Sequence, residues 1–206
     1  TRRKRMELFK KVITTVLAAL VLTSCSSMNS AITIGDKEFS TSDVQKPVDE
    51  VLRDRKIVDT TGMQLAQADE LLRNQAQFFI VGVLLDRIST DKKLSVTNAD
   101  IAARRTEILT QVGGESELPK ALVGASLAQS NLDAYLKILI ISEKLSKDII
   151  LSGVSSEQAA EEVNKIVVAV AKKLGVKVNP KYGTWNADTA SIESGDITDG
   201  AVTPAP

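Results

Sequence analysis

Phe78-Phe79-Ile80-Val81-Gly82-Val83-Leu84-Leu85 sets seven apolar residues and one glycine in an unbroken run. The run lies inside a helical pattern from about Gln64 to Thr90, with Leu72, Phe79, Val83 and Leu84 among its apolar positions. A helix that is apolar nearly all round has to be covered on several sides. This predicts a mainly α protein in which other elements wrap one central helix.

The covering elements are legible on both sides of the run. Upstream, Ala31 to Phe39 reads as a short hairpin, with Ile32 and Ile34 alternating before the turn residues Gly35 and Asp36. Ser40 is placed to cap a following helix with Asp43 at its third position, and Val44, Val48, Val51 and Leu52 recur at helical spacing. Thr60, Thr61 and Gly62 interrupt that pattern. Downstream, Asn98 is the expected cap of a helix through Ile101, Ile108 and Leu109, broken at Gly113 and Gly114 and followed by a short helix over Leu118 to Val123.

Ser130 is then the expected cap of a helix over Asn131 to Leu151, whose stripe is Leu132, Leu136, Leu139, Ile140 and Leu145. After Gly153, Ser155 and Ser156 open a last helix with Ala160, Val163, Val167, Val170 and Leu174 as its expected buried face and Gly175 as its C-cap. Val176, Val178 and the stretch from Tyr182 to Trp185 read as extended, with a bend at Asn179-Pro180. Residues 186–206 are polar, rich in Asp, Ser, Thr, Gly and Pro, and read as a disordered tail.

Composition agrees with helices. Apolar residues make up 43% and charged residues 25%, the balance of a globular chain. Aromatics are only 3%, so the core is built from Leu, Ile, Val and Ala. The net charge of zero hides an uneven distribution. Arg2, Arg3, Lys4, Arg5, Lys10 and Lys11 precede Cys25 with Glu7 as the only acid among them, which leaves the remainder mildly acidic. An acidic chain lacks the surplus of Lys and Arg that neutralises phosphates, so no nucleic-acid partner is expected.

The first residues read as a leader. A cationic stretch precedes the apolar run Val12 to Leu22, and the small residues Thr23 and Ser24 stand before Cys25. The run is short of the roughly 20 residues a permanent spanning helix needs, so cleavage is the expectation. Leu22-Thr23-Ser24-Cys25 resembles the bacterial lipobox, which implies lipid attachment at Cys25 and a signal peptide over residues 1–24. The alternative is a small buried cysteine that happens to follow an apolar run. Each buried methylene of an acyl chain contributes about 0.8 kcal/mol, so an acylated Cys25 holds the protein at the outer face of the cytoplasmic membrane, with residues 25–30 as anchor and tether. Met6 is an alternative start to Thr1; the expected anchor is the same for either.

A family resemblance then covers residues 31–185. Ile32-Thr33-Ile34-Gly35-Asp36-Lys37-Glu38-Phe39 followed by Ser42-Asp43-Val44 resembles the opening of SurA N-terminal-like chaperones. The long apolar helix from Leu71 to Ile88, the segment Leu94-Ser95-Val96-Thr97-Asn98-Ala99-Asp100-Ile101, and the helix, break and helix from Leu122 to Leu145 are similar in the same way. Val178-Asn179-Pro180-Lys181-Tyr182-Gly183-Thr184-Trp185 resembles the strand that closes such domains in actinobacterial lipoproteins. The resemblance, which extends to PrsA-like proteins, implies a holder of unfolded exported polypeptides. Many of its members add a parvulin domain; no stretch here is left over for one, and the histidines usual in parvulin sites are missing, since the chain has none. The implied activity is holding without isomerisation.

No catalytic constellation is found from the residues. General acid–base work without histidine needs carboxylates or lysines of shifted pKa. The pairs Asp69-Glu70 and Glu161-Glu162 are adjacent on helices, diverge by about 100° and do not converge on one atom. No zinc ligand pair, phosphate loop or nucleophile elbow occurs, so neither an enzyme nor a cofactor is expected. Phe78, Phe79, Leu84 and Leu85 are the residues able to line a groove for non-native chains, against the competing expectation that all four are core. The substrate-binding residues are left open. Tyr182 and Trp185 are expected to pack the last strand on the helices. Two functions of different class remain: a membrane-anchored holder of unfolded exported polypeptides, or a dedicated interaction subunit of a cell-envelope complex.

Overall fold

A computed structural model describes residues 29–194. Residues 1–28, which hold the expected leader and Cys25, and residues 195–206 lie outside the described residues. The architecture is mainly helical, with six α-helices among the described residues and short antiparallel strands at the N-terminal and C-terminal ends.

The chain enters through β1 (Ser30–Ile34), turns at Gly35-Asp36 and returns as β2 (Lys37–Ser40). Gly35 takes a φ of 59°, a conformation glycine adopts without the strain a Cβ would bring. Ser40 then starts α1 (Thr41–Asp54) with the expected capping box: Asp43 N–H donates to Ser40 Oγ, and Ser40 N–H donates to Asp43 Oδ2 at 2.8 Å. The central helix α2 runs over Ala68–Lys92 and ends on Lys93 in the left-handed conformation. It buries Leu71, Ala76, Ile80, Leu84, Leu85 and Ile88 on more than one face, as a helix apolar all round must.

Helix α3 (Asn98–Val112) is capped one residue earlier than expected. Thr97 rather than Asn98 accepts from Asp100 N–H and receives the Asp100 carboxylate on its own N–H, because a capping box needs the acid three residues on. After α4 (Leu118–Gly124), a 3-10 turn over Gln129–Asn131 leads into α5 (Leu132–Leu151). Ser130 is not the cap of α5. Its N–H and Oγ both donate to the Glu50 carboxylate, at 3.0 and 2.6 Å, which ties this turn to α1.

Helix α6 (Ser156–Leu174) ends at Gly175, as read from the sequence. Four of the five expected residues, Val163, Val167, Val170 and Leu174, pack half-buried against the apolar clusters, while Ala160 is exposed and Ala159 and Ala171 are the fully covered residues. β3 (Val176–Val178) then pairs antiparallel with β1, Ile32 opposite Val178 and Ile34 opposite Val176, in a sheet of order β2-β1-β3.

Four apolar clusters hold these parts together. One joins the sheet, α2 and α6 around Ile32, Ile34, Val44, Ile80 and Leu84. Leu85 and Ile88 meet Ile141 and Leu145 of α5 in a second. Val48 and Val51 of α1 meet Leu71 and Ala128 in a third, and Leu118, Leu122, Leu132 and Leu136 form a fourth beneath Ile101, Ile108 and Leu109 of α3. The central helix contributes to three of the four.

The expected domain end at Trp185 is corrected. Tyr182 closes a 3-10 turn over Pro180–Tyr182 instead of lying in a strand. β4 (Thr184–Asn186) and β5 (Ser191–Glu193) then form an antiparallel hairpin with Trp185 opposite Ile192; Thr184 and Trp185 are extended as expected, while Asn186 and β5 lie in the stretch expected to be disordered. Two features offset its polar composition. Ala190 and Ile192 are buried, and the Gln77 side chain of α2 clamps the backbone, accepting from Ile192 N–H at 2.8 Å and donating to Ala190 O at 2.9 Å. Tyr182 and Trp185 pack against the main cluster, as expected.

Candidate functional site: a groove along the central helix

The turn of β1 and β2 stands beside one face of α2, and α5 stands on the other side of that face. The α5 side chains that face β2 across α2 are Ala134, Lys137 and Ile138, and the two walls do not close. The space left between them is an open groove. Its upper part, about 270 Å³, is floored by Phe78, Phe79 and Gly82 and walled by Phe39 on one side and Ala134 and Ile138 on the other. Its lower part, about 280 Å³, continues past Val83 to Thr90 and Leu174. Lys37, Val83 and Asp86 line both parts. From Phe78 to Thr90 the helix rises about 18 Å at roughly 1.5 Å per residue.

The apolar lining is aromatic at one end and glycine in the middle. Phe39 and Phe79 stack with ring centroids 4.8 Å apart, and Phe78 meets Phe79 edge-on at 6.0 Å. All three rings are half-buried. Gly82 leaves the floor low: a Cβ built on it would meet Ile138 Cδ1 at 3.7 Å, an ordinary contact, so helix packing alone does not demand glycine there.

The four residues singled out in the sequence divide. Phe78 and Phe79 line the groove, while Leu84 and Leu85 point into the core, 0% and 2% exposed. Sequence reading did not find Phe39, Gly82 or Ile138, which come from three different elements. The alternation of Lys37 and Phe39 along β2 is the one local signal that both would share a wall.

The rim is charged, and most of its charges are already matched. Lys137 Nζ lies 2.7 Å from Asp86 Oδ1 across the groove, and Arg87 Nε lies 2.9 Å from Asp91 Oδ2. Lys37 has no ion pair among the described residues. At the upper end the buried Asn131 donates to Gln75 Oε1 at 3.1 Å, which anchors the start of α5 to α2.

The acidic pairs stand apart from the groove. Asp69 and Glu70 are exposed in the first turn of α2, and Glu161 and Glu162 both bind Lys165, raising its pKa above the ordinary lysine value. Burial pushes the Tyr182 hydroxyl up from its usual pKa. Among the described residues, no three His, Cys, Asp or Glu side chains are grouped to hold a metal ion, and no helix is long and apolar enough to cross a membrane. Cys25, the expected lipid attachment site, lies outside the described residues. Comparison with known proteins finds no matching family model, no matching curated protein and no matching solved structure.

Proposed function

We propose that this protein is a lipid-anchored, extracytoplasmic holding chaperone that binds unfolded or newly exported polypeptides in the groove along α2. The observation that carries the reading is the lining itself: three half-buried phenylalanines with Val83, Ile138, Ala134 and Gly82, while the polar residues Asp86, Lys137 and Asn131 are engaged with protein partners. Such a surface accepts many apolar side chains and discriminates poorly between them, which suits non-native chains rather than one small ligand. The lipobox-like Leu22-Thr23-Ser24-Cys25 supports a place at the outer face of the cytoplasmic membrane, where exported chains emerge. The SurA-like order of elements supports the same task.

Light scattering of two unrelated unfolded proteins, diluted into buffer with and without the purified protein, tests the holding activity. Near-stoichiometric suppression of both is expected. Suppression of neither, together with tight binding of one folded envelope protein, establishes the other reading, a dedicated subunit. The anchor is tested separately by metabolic labelling with a radioactive fatty acid, which is expected to mark the wild-type protein and not Cys25→Ala.

A further inference from the structure

One wall of the groove is also the edge of a sheet. We infer that a client segment binds there in extended form, as an added strand on the outer edge of β2; the inference rests on the proposed holding function and specifies how the groove is filled. In the order β2-β1-β3, β2 has a neighbour on one side only. Gly35 N–H donates to Gly175 O and Asn179 N–H donates to Ala31 O, so the odd-numbered residues of β1 turn their backbone groups toward β3. The even-numbered residues therefore turn toward β2. Across the two-residue turn the same alternation directs the backbone of Lys37 and Phe39 inward and the N–H and C=O of Glu38 outward, available to another chain, while the N–H of Ser40, next in the outward row, is already given to Asp43 Oδ2.

The side chains agree with the backbone. Lys37 and Phe39 both line the groove, as residues two apart on a strand should. A strand added about 4.8 Å beyond β2 lies over the α2 face that carries Phe78 and Gly82. Every second side chain of that strand then descends between Phe39 and Ile138. The groove's length of about 18 Å takes five or six extended residues.

Charge narrows the occupant further. With Lys137 held by Asp86 and Arg87 by Asp91, the groove charges without an ion pair among the described residues are Lys37, which lines both parts, and Asp36, which lines the lower part only, so Lys37 is the unmatched charge of the upper part. Lysine on an exposed edge opposes pairing with a second copy of the same edge, since two lysines would face each other, and it favours a chain that brings an acid. The occupant is thus an extended non-native segment with apolar residues at alternate positions and an acidic residue beside Lys37. Folded proteins seldom expose such a segment, because its backbone groups are already paired.

The test uses the capped, fluorescently labelled peptide Val-Thr-Val-Thr-Asp-Thr and two N-methylated forms, one methylated on the odd residues and one on the even, titrated into the purified protein. Strand addition predicts that one methylated form loses at least about tenfold in affinity while the other stays within about threefold of the parent, since only one row of N–H groups faces β2. It also predicts that Lys37→Glu weakens the Asp peptide about tenfold and strengthens one with Lys in its place. Equal binding of both methylated forms overturns strand addition while leaving the groove as a client site. Absence of peptide binding by a protein that still suppresses aggregation overturns it too, and places clients elsewhere. A protein that neither binds the peptide nor suppresses aggregation overturns the holding function along with it.

Discussion

Phe39 of β2 and Phe79 of α2 lie ring over ring, 4.8 Å between centroids and 22° between planes, and this stack joins the hairpin to the central helix at the edge of the main apolar cluster. The same two rings are wall and floor of the groove, so one contact serves stability and, under the proposed function, binding.

Truncating the two neighbouring phenylalanines should separate these roles. Phe79 packs against the main apolar cluster, and Phe79→Ala is expected to lower stability by about 2 kcal/mol. Phe78 meets Phe79 only edge-on and faces the groove, so Phe78→Ala should lower it by about 1 kcal/mol or less while weakening client binding. Urea unfolding midpoints, read beside aggregation suppression, check both; equal stability losses would mean that Phe78 is core.

Gly82 makes the opposite prediction. A glycine inside a helix is less favourable than alanine by roughly 0.8–1 kcal/mol, and a Cβ here meets only Ile138 Cδ1 at 3.7 Å. Gly82→Ala should therefore raise stability by about 0.5–1 kcal/mol, measured by chemical denaturation. Destabilisation would show a packing demand for glycine.

The C-terminal hairpin is tested at Gly183, whose φ of 124° is closed to other residues and whose Cβ would fall 2.2 Å from Glu193 O. Gly183→Ala should dislodge β5 from Gln77, with faster amide exchange at Ile192 and a stability loss of about 2 kcal/mol or more. Protection at Ile192 equal to wild type would refute the clamp.

Acid sensitivity follows from the helix caps. Hydrogen bonds from the Ser40 hydroxyl and then the Ser40 N–H hold the Asp43 carboxyl below its usual pKa, and the Thr97 N–H and Lys144 do the same for Asp100. A carboxyl depressed in the folded state adds stability above its unfolded pKa, near 3.9, and loses it as pH falls through the folded value. Urea midpoints should therefore be level from about pH 6 to 8, where a chain without histidine has few groups to titrate, and fall below about pH 4. The difference between pH 7 and pH 3 should shrink in Asp43→Asn. Ser40→Ala is expected to lower stability by about 1 kcal/mol at neutral pH.

Which parts of this were legible in the sequence depends on how local their causes are. The cap at Ser40 and Asp43, the turn at Gly35 and the stop at Gly175 are decided within a few residues, and each stands where the sequence put it. The cap at Thr97 was misplaced by one residue because Asn98 is an equally good capping type, and only the spacing to Asp100 decides between them. Ser130 failed as a cap through its long-range partner Glu50. The second strand of the C-terminal hairpin is not legible locally because its order comes from burial of Ala190 and Ile192 and from Gln77, more than a hundred residues away. Phe78 and Leu84 look alike on a helix apolar all round; only the placement of β2 and α5 makes one a groove residue and the other core.

Light scattering of an unfolded client with wild type, Gly82→Ala and Gly82→Phe tests most directly whether non-native chains occupy the groove along α2. The account predicts that Gly82→Ala suppresses aggregation about as well as wild type, and that Gly82→Phe, whose ring fills the floor, fails to suppress it while unfolding at a urea concentration close to wild type. Undiminished suppression by a folded Gly82→Phe would contradict it.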